Sequence, residues 1–97
     1  MIMHTVTFRW KPEMPEGQVE RIVAALTRLN GQVPGMRWIR CGEHVGGSSG
    51  AFDFAVVAEF DDLSAFSAYG SHPAHRTVAD ECIIPWVADL GSVQFDG

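Results

Sequence analysis

The sequence predicts an α+β domain of β-α-β-β-α-β order, a four-stranded antiparallel sheet with helices on one face and a second copy of the chain on the other. Three observations predict it. Residues 2–10 and 52–60 follow a period of two with one strongly apolar face, apolar residues recur at helical spacing between 16 and 29, and the second strand face is too apolar to be left in water. In a chain of 97 residues with 46% apolar and 20% charged content, this order fills a single domain over 1–97.

The first strand, 2–10, points Ile2, His4, Val6, Phe8 and Trp10 one way and Met3, Thr5, Thr7 and Arg9 the other. Pro12 and Pro15 end it, and Pro15 with Glu16 suits the first turn of a helix, where the missing N–H costs nothing and a carboxylate favours the dipole. Val19, Ile22, Val23, Leu26 and Leu29 then define an amphipathic helix of about four turns. Asn30-Gly31 closes it, and Pro34-Gly35 turns the chain into a second strand, 36–45, apolar on parts of both faces. GGSSG (46–50) reads as a hairpin connection, since no Gly-Lys-Ser/Thr follows to make a phosphate cradle.

The third strand, 52–60, carries Phe52, Phe54, Val56, Ala58 and Phe60 on one face, and Ala55 and Val57 keep the middle of its other face apolar. Asp61-Asp62 can cap a short helix over 62–69. Gly70-Ser71 breaks that helix and Pro73 restarts one carrying Val78, Ala79, Cys82 and Ile83, which Pro85 ends or kinks near Trp86. Residues 90–95 make the last strand. The sheet face bearing Met3, Ile39, Ala55 and Val57 needs a cover, and C2 pairing of two sheets face to face is the simplest one; a homodimer is expected.

Composition bounds the partners. With twelve acidic and seven basic residues, the net charge is −5 and the cations are scattered, which disfavours nucleic acid and anionic lipid. No apolar run is long enough for a membrane span, and no export signal opens the chain. Cys41 and Cys82 sit in apolar patterns without zinc spacing, as small core residues of a reducing compartment, so a cytoplasmic protein is expected.

Chemistry concentrates in Tyr69-Gly70-Ser71-His72-Pro73-Ala74-His75. Pro73 at the first helical position leaves His72 just outside the helix, free to cap it, and puts His75 in the first turn, where the positive end of the dipole disfavours imidazolium. A neutral imidazole accepts a proton. A phenol beside it can stabilise the enolate formed when carbon next to a carbonyl loses one. Each residue also has a structural reading: His72 as a cap, Tyr69 as amphipathic core, His75 as a buried structural ring, and His4 as a satisfied core histidine rather than a cavity wall. His44 reads as solvated. His72 and His75 lack a third metal ligand at convincing spacing, Ser71 lacks an elbow and an orienting carboxylate, and no flavin, nicotinamide or phosphate motif is present. Neither a metal nor a cofactor is expected.

His4-Thr5-Val6-Thr7-Phe8 with Lys11-Pro12, Val33-Pro34-Gly35-Met36, Phe52-Asp53-Phe54-Ala55 and, above all, Ala68-Tyr69-Gly70-Ser71-His72-Pro73-Ala74-His75 resemble the stress-responsive A/B barrel (Dabb) family over nearly the whole chain. The resemblance implies a dimeric α/β barrel of ferredoxin-like subunits. One plant member, olivetolic acid cyclase, closes a linear polyketide by aldol condensation without a cofactor; its catalytic tyrosine and histidine fall on Tyr69 and His75, and a histidine near its cavity falls on His4. The resemblance thus implies a cofactor-free lyase or cyclase with His75 as base, Tyr69 on the enolate oxygen, and His4 and His72 orienting the substrate. Its rival is a non-catalytic dimer that binds an apolar ligand or confers stress tolerance. A third reading, a cofactor-independent monooxygenase, would use Trp10, Trp38 and Trp86 as an aromatic site.

Overall fold

A computed structural model describes residues 1–47 and 50–97. The centre of the 46–50 connection lies outside the described residues. Strands β1 (Ile2–Trp10), β2 (Met36–Glu43), β3 (Phe54–Phe60) and β4 (Val87–Asp96) form one antiparallel sheet in the order β2-β3-β1-β4, with helices α1 (Gln18–Thr27), α2 (Leu63–Ser71) and α3 (Pro73–Val78). This is the ferredoxin-like α+β arrangement expected, and the core lies between the helices and the face bearing Phe8, Phe54, Val56, Ala58 and Phe60.

Helix α1 is shorter than its apolar spacing suggests. A turn in which the Gln18 N–H donates to the Pro15 carbonyl precedes it, and Gly17 at φ 85° forms its entry. Leu29 is buried just beyond its end. Asn30 then completes an edge: its amide accepts from the Ile39 N–H at 3.0 Å and donates to the Ile39 and Thr27 carbonyls at 3.1 Å each. Among the described residues β2 is an edge strand on that side, so the side chain stands in for a strand and blunts the edge. Asn30→Ala is expected to cost about 1–2 kcal/mol, with Asn30→Asp intermediate because it keeps only the acceptor. Urea unfolding with an unchanged slope checks this; an unaltered midpoint would show that water replaces the amide without loss.

Ile39 requires a correction. It was expected on the outer sheet face, yet it is buried in the core. Met36 pairs with Phe60 while Trp38 pairs with Glu59, so Arg37 is an extra residue, a bulge that exchanges the faces of all that follows. Met36, Ile39 and Cys41 therefore face the helices, and Trp38 and Arg40 face outward. Phe52 precedes β3 rather than opening it, and lies 4.4 Å beneath the Arg9 guanidinium. At Gly35, φ is 82° and a Cβ would stand 2.5 Å from that of Ala65, so only glycine lets β2 start this close to α2.

Helix α2 runs through Gly70 and Ser71 instead of breaking there. The break falls at His72, whose extended backbone (φ −67°, ψ 131°) is what a following proline imposes. After α3 the chain widens into a π turn (Ala79–Ile83) and tightens into a 3-10 turn (Ile84–Trp86) containing Pro85. The buried Gln18 amide donates to the Cys82 carbonyl at 3.0 Å, tying α1 to this irregular stretch. Strand β4 begins at Val87, three residues before its expected start.

Candidate active site

The alternation of β1 directs His4, Val6 and Phe8 toward the helices, and the inward face of α2 buries Tyr69. The kink at His72-Pro73 turns the chain so that His75, the third residue of α3, meets Tyr69 with ring centroids 4.0 Å apart. His4 lies 6.0 Å from Tyr69 and 4.9 Å from Phe66. These three side chains share the wall of a cavity of about 290 Å³ with an apolar floor that includes Val6, Leu26, Val56 and Ile83. Its volume is at the lower end of small-ligand sites, about 300–1,000 Å³.

Burial is the leading electrostatic influence. It lowers the His75 pKa from the ordinary 6.5; the nearby Gly70 and Tyr69 backbone offsets part of this, while the charge of Arg76, and that of His4 when it is protonated, add to it. The direction is the one expected from the sequence, with burial rather than the helix start as its leading cause. The His75 Nδ1 is buried without a hydrogen-bond partner among the described residues. Burial likewise lowers His4, against a hydrogen bond to Gln94, and pushes the Tyr69 phenol up to about 12. At neutral pH the wall therefore holds two uncharged imidazoles and a phenol that keeps its proton. The imidazoles can accept a proton and the phenol can donate a hydrogen bond to an oxyanion.

Gln94 escaped the sequence reading. Its Oε1 stands 2.6 Å from His4 Nδ1 and accepts from the Ser92 hydroxyl at 2.9 Å. An amide oxygen only accepts, so Nδ1 carries the hydrogen and the lone pair of His4 is on Nε2. The signal was the polar alternation of Ser92 and Gln94 on β4; its meaning depends on the pairing of β4 with β1, where Gln94 lies opposite His4.

His72 is placed apart from the other three. It does not line the cavity, and its Nδ1 accepts from the Ala74 N–H at 3.1 Å as the cap of α3. His44 borders a smaller hollow of about 240 Å³ with Thr7 and Phe52. None of the three tryptophans lines the histidine cavity, so the aromatic site pictured for a monooxygenase is not assembled there. Among the described residues, no cluster of His, Cys, Asp and Glu is placed to hold a metal, and no helix is long and apolar enough to cross a membrane.

The stress-responsive A/B barrel domain model matches residues 2–96. The chain belongs to this family. An uncharacterized protein of Streptomyces coelicolor is 33% identical over 78 residues, covering 78% of this A/B barrel domain and 80% of the relative. A dimeric ferredoxin-like protein of unknown function from Thermobifida fusca superposes with a TM-score of 0.90 at 38% identity, over 99% of this chain and 90% of that one. Hydroxynitrile lyase from Passiflora edulis has the same fold, with a TM-score of 0.83 at 20% identity over 97% and 90% of the two chains.

Proposed function

We propose that this A/B barrel domain is a homodimer whose cavity takes a small carbonyl compound and performs cofactor-free acid/base chemistry on it, of the lyase or cyclase kind. One observation carries the reading: the His75 ring, its Nδ1 unpartnered among the described residues, lies against Tyr69 on the wall of an apolar cavity. In the forward direction His75 takes the proton from carbon next to the carbonyl while Tyr69 donates a hydrogen bond to the enolate oxygen; the carbon adds to a second carbonyl and the protonated His75 returns the proton to the new alkoxide. In reverse, His75 takes the hydroxyl proton, the carbon–carbon bond breaks to a carbonyl and a carbanion, and the carbanion takes that proton back from His75. A hydroxynitrile lyase on the same fold supports the lyase form. His4, with its tautomer set by Gln94, orients the substrate; His72 contributes by holding the start of α3.

The dimer is supported by dimeric neighbours and by the outer sheet face, where Met3, Trp38, Val57, Val93 and Phe95 stand on the side away from the helices. The largely apolar cavity also supports a second reading, a dimer that binds a ligand without turning it over.

An NMR titration of the histidine rings from pH 5 to 9, repeated with β-keto acids, phenols and short polyketide mimics, tests both. The His75 ring is expected to titrate below 6.5 and to shift with a subset of the ligands. Rings indifferent to every ligand would sink both readings, and ligand shifts without turnover would leave the second. Stability follows the same groups. Because folding lowers the pKa of His4 and His75, the unfolded chain binds their protons first. Their contribution is complete above about 6.5 and is lost as pH falls through the lowered folded values.

A further inference from the structure

We propose that Arg76 selects the charge of the ligand: the cavity takes a small, mainly apolar molecule bearing one carboxylate, which the Arg76 guanidinium holds at the mouth while the apolar body reaches His75. This rests on the cavity being a ligand site and adds the chemical class of the occupant.

Among the described residues that line the cavity, Arg76 alone carries a full charge at neutral pH, and no carboxylate lines it. It lines the same cavity as His75, so a ligand held by one is within reach of the other. Its side chain is half exposed, and the apolar Ile84 and Leu90 share the mouth with it. In a chain of net charge −5 an anion is disfavoured on average, so its binding here depends on direct contact with the Arg76 guanidinium.

Asp80 already contacts Arg76, 2.6 Å from Nη2, but both partners are about half exposed and such pairs are weak. A guanidinium has five donors in a planar fork, so several stay free, and the fork matches a carboxylate bidentately. Asp80 therefore acts as a tether that keeps the fork at the mouth and competes mildly with the ligand.

Matched probes test this on the full chain: benzoate against benzamide, 3-phenylpropanoate against 3-phenylpropanamide, and octanoate against octanamide, followed through the His4 and His75 ring signals. For at least one pair, the carboxylate should bind about tenfold or more tightly than the amide. Arg76→Gln should erase that preference and leave amide affinity unchanged, and Arg76→Lys should restore only part of it. Asp80→Asn, which removes the competitor, should tighten carboxylate binding about two- to fivefold. Equal binding of carboxylate and amide, a preference that survives Arg76→Gln, or no binding by any probe would overturn the inference. A charge preference without turnover of any carbonyl compound would keep Arg76 and sink the acid/base reading. Turnover with no charge preference would do the reverse.

Discussion

His75→Ala is expected to lower turnover of the carbonyl compound identified by the ring titration by about 10²–10⁴-fold, the usual worth of a positioned acid/base group. The fold should barely respond. The ring is only partly buried and its Nδ1 has no protein partner among the described residues, so truncation breaks no hydrogen bond at that atom. Tyr69→Phe retains the ring that packs against Phe60 and His75 but removes the donor, and a loss of about 10²–10³-fold is expected. In the parent protein, activity should persist below pH 6.5 and fall only as His75 takes up a proton at its lowered value. Rates from folded variants, with urea midpoints measured beside them, decide the matter. If both variants unfold, Tyr69 and His75 form a structural pair; if both stay folded and turn over normally, the base lies elsewhere.

That pair was legible because each residue is tied to a local rule. Pro73 sets the helix start, the helix start sets His72 as cap and His75 one turn in, and alternation along β1 places His4 on the helix side. Local rules did not reach Ile39, since one extra residue at Arg37 reverses every later position on β2 and leaves no mark in the hydrophobic pattern. They also missed Gln94, whose role exists only through the pairing of β1 with β4, the first and last strands of the chain. Pro85 announced an interruption, but the π turn before it is fixed by tertiary packing, including the Gln18 bond to Cys82. No local rule singles out Arg76. Its place at the cavity mouth follows from how α3 lies over the sheet.

The outer sheet face carries the other large expected effect. Val57 sits on β3, an inner strand, opposite Thr5 on β1 and Arg40 on β2, and so near the middle of the face that a second copy would cover. Val93 and Phe95, on edge strand β4, are half exposed or more in the single chain, an arrangement that leaves apolar area in water unless a partner removes it. The parent protein is therefore expected to sediment at twice 10.6 kDa at micromolar concentration. Val57→Glu would place a carboxylate on the covered face of each copy, and even with Arg40 across the strand pair its loss of water is expected to cost several kcal/mol against a single interface. The expected result is a folded 10.6 kDa species. Val57→Leu keeps the apolar face and should remain dimeric. The helix side of β3, with Phe54, Val56, Ala58 and Phe60 buried, is untouched by either change, so circular dichroism should match the parent. A parent protein that already runs as a monomer would end the dimer proposal outright, whereas a Val57→Glu variant that stays dimeric would move the interface off this face. If the variant dissociates while the His75 ring still answers to ligand, the cavity is complete within one subunit; if the response is lost with the dimer, the partner contributes to it.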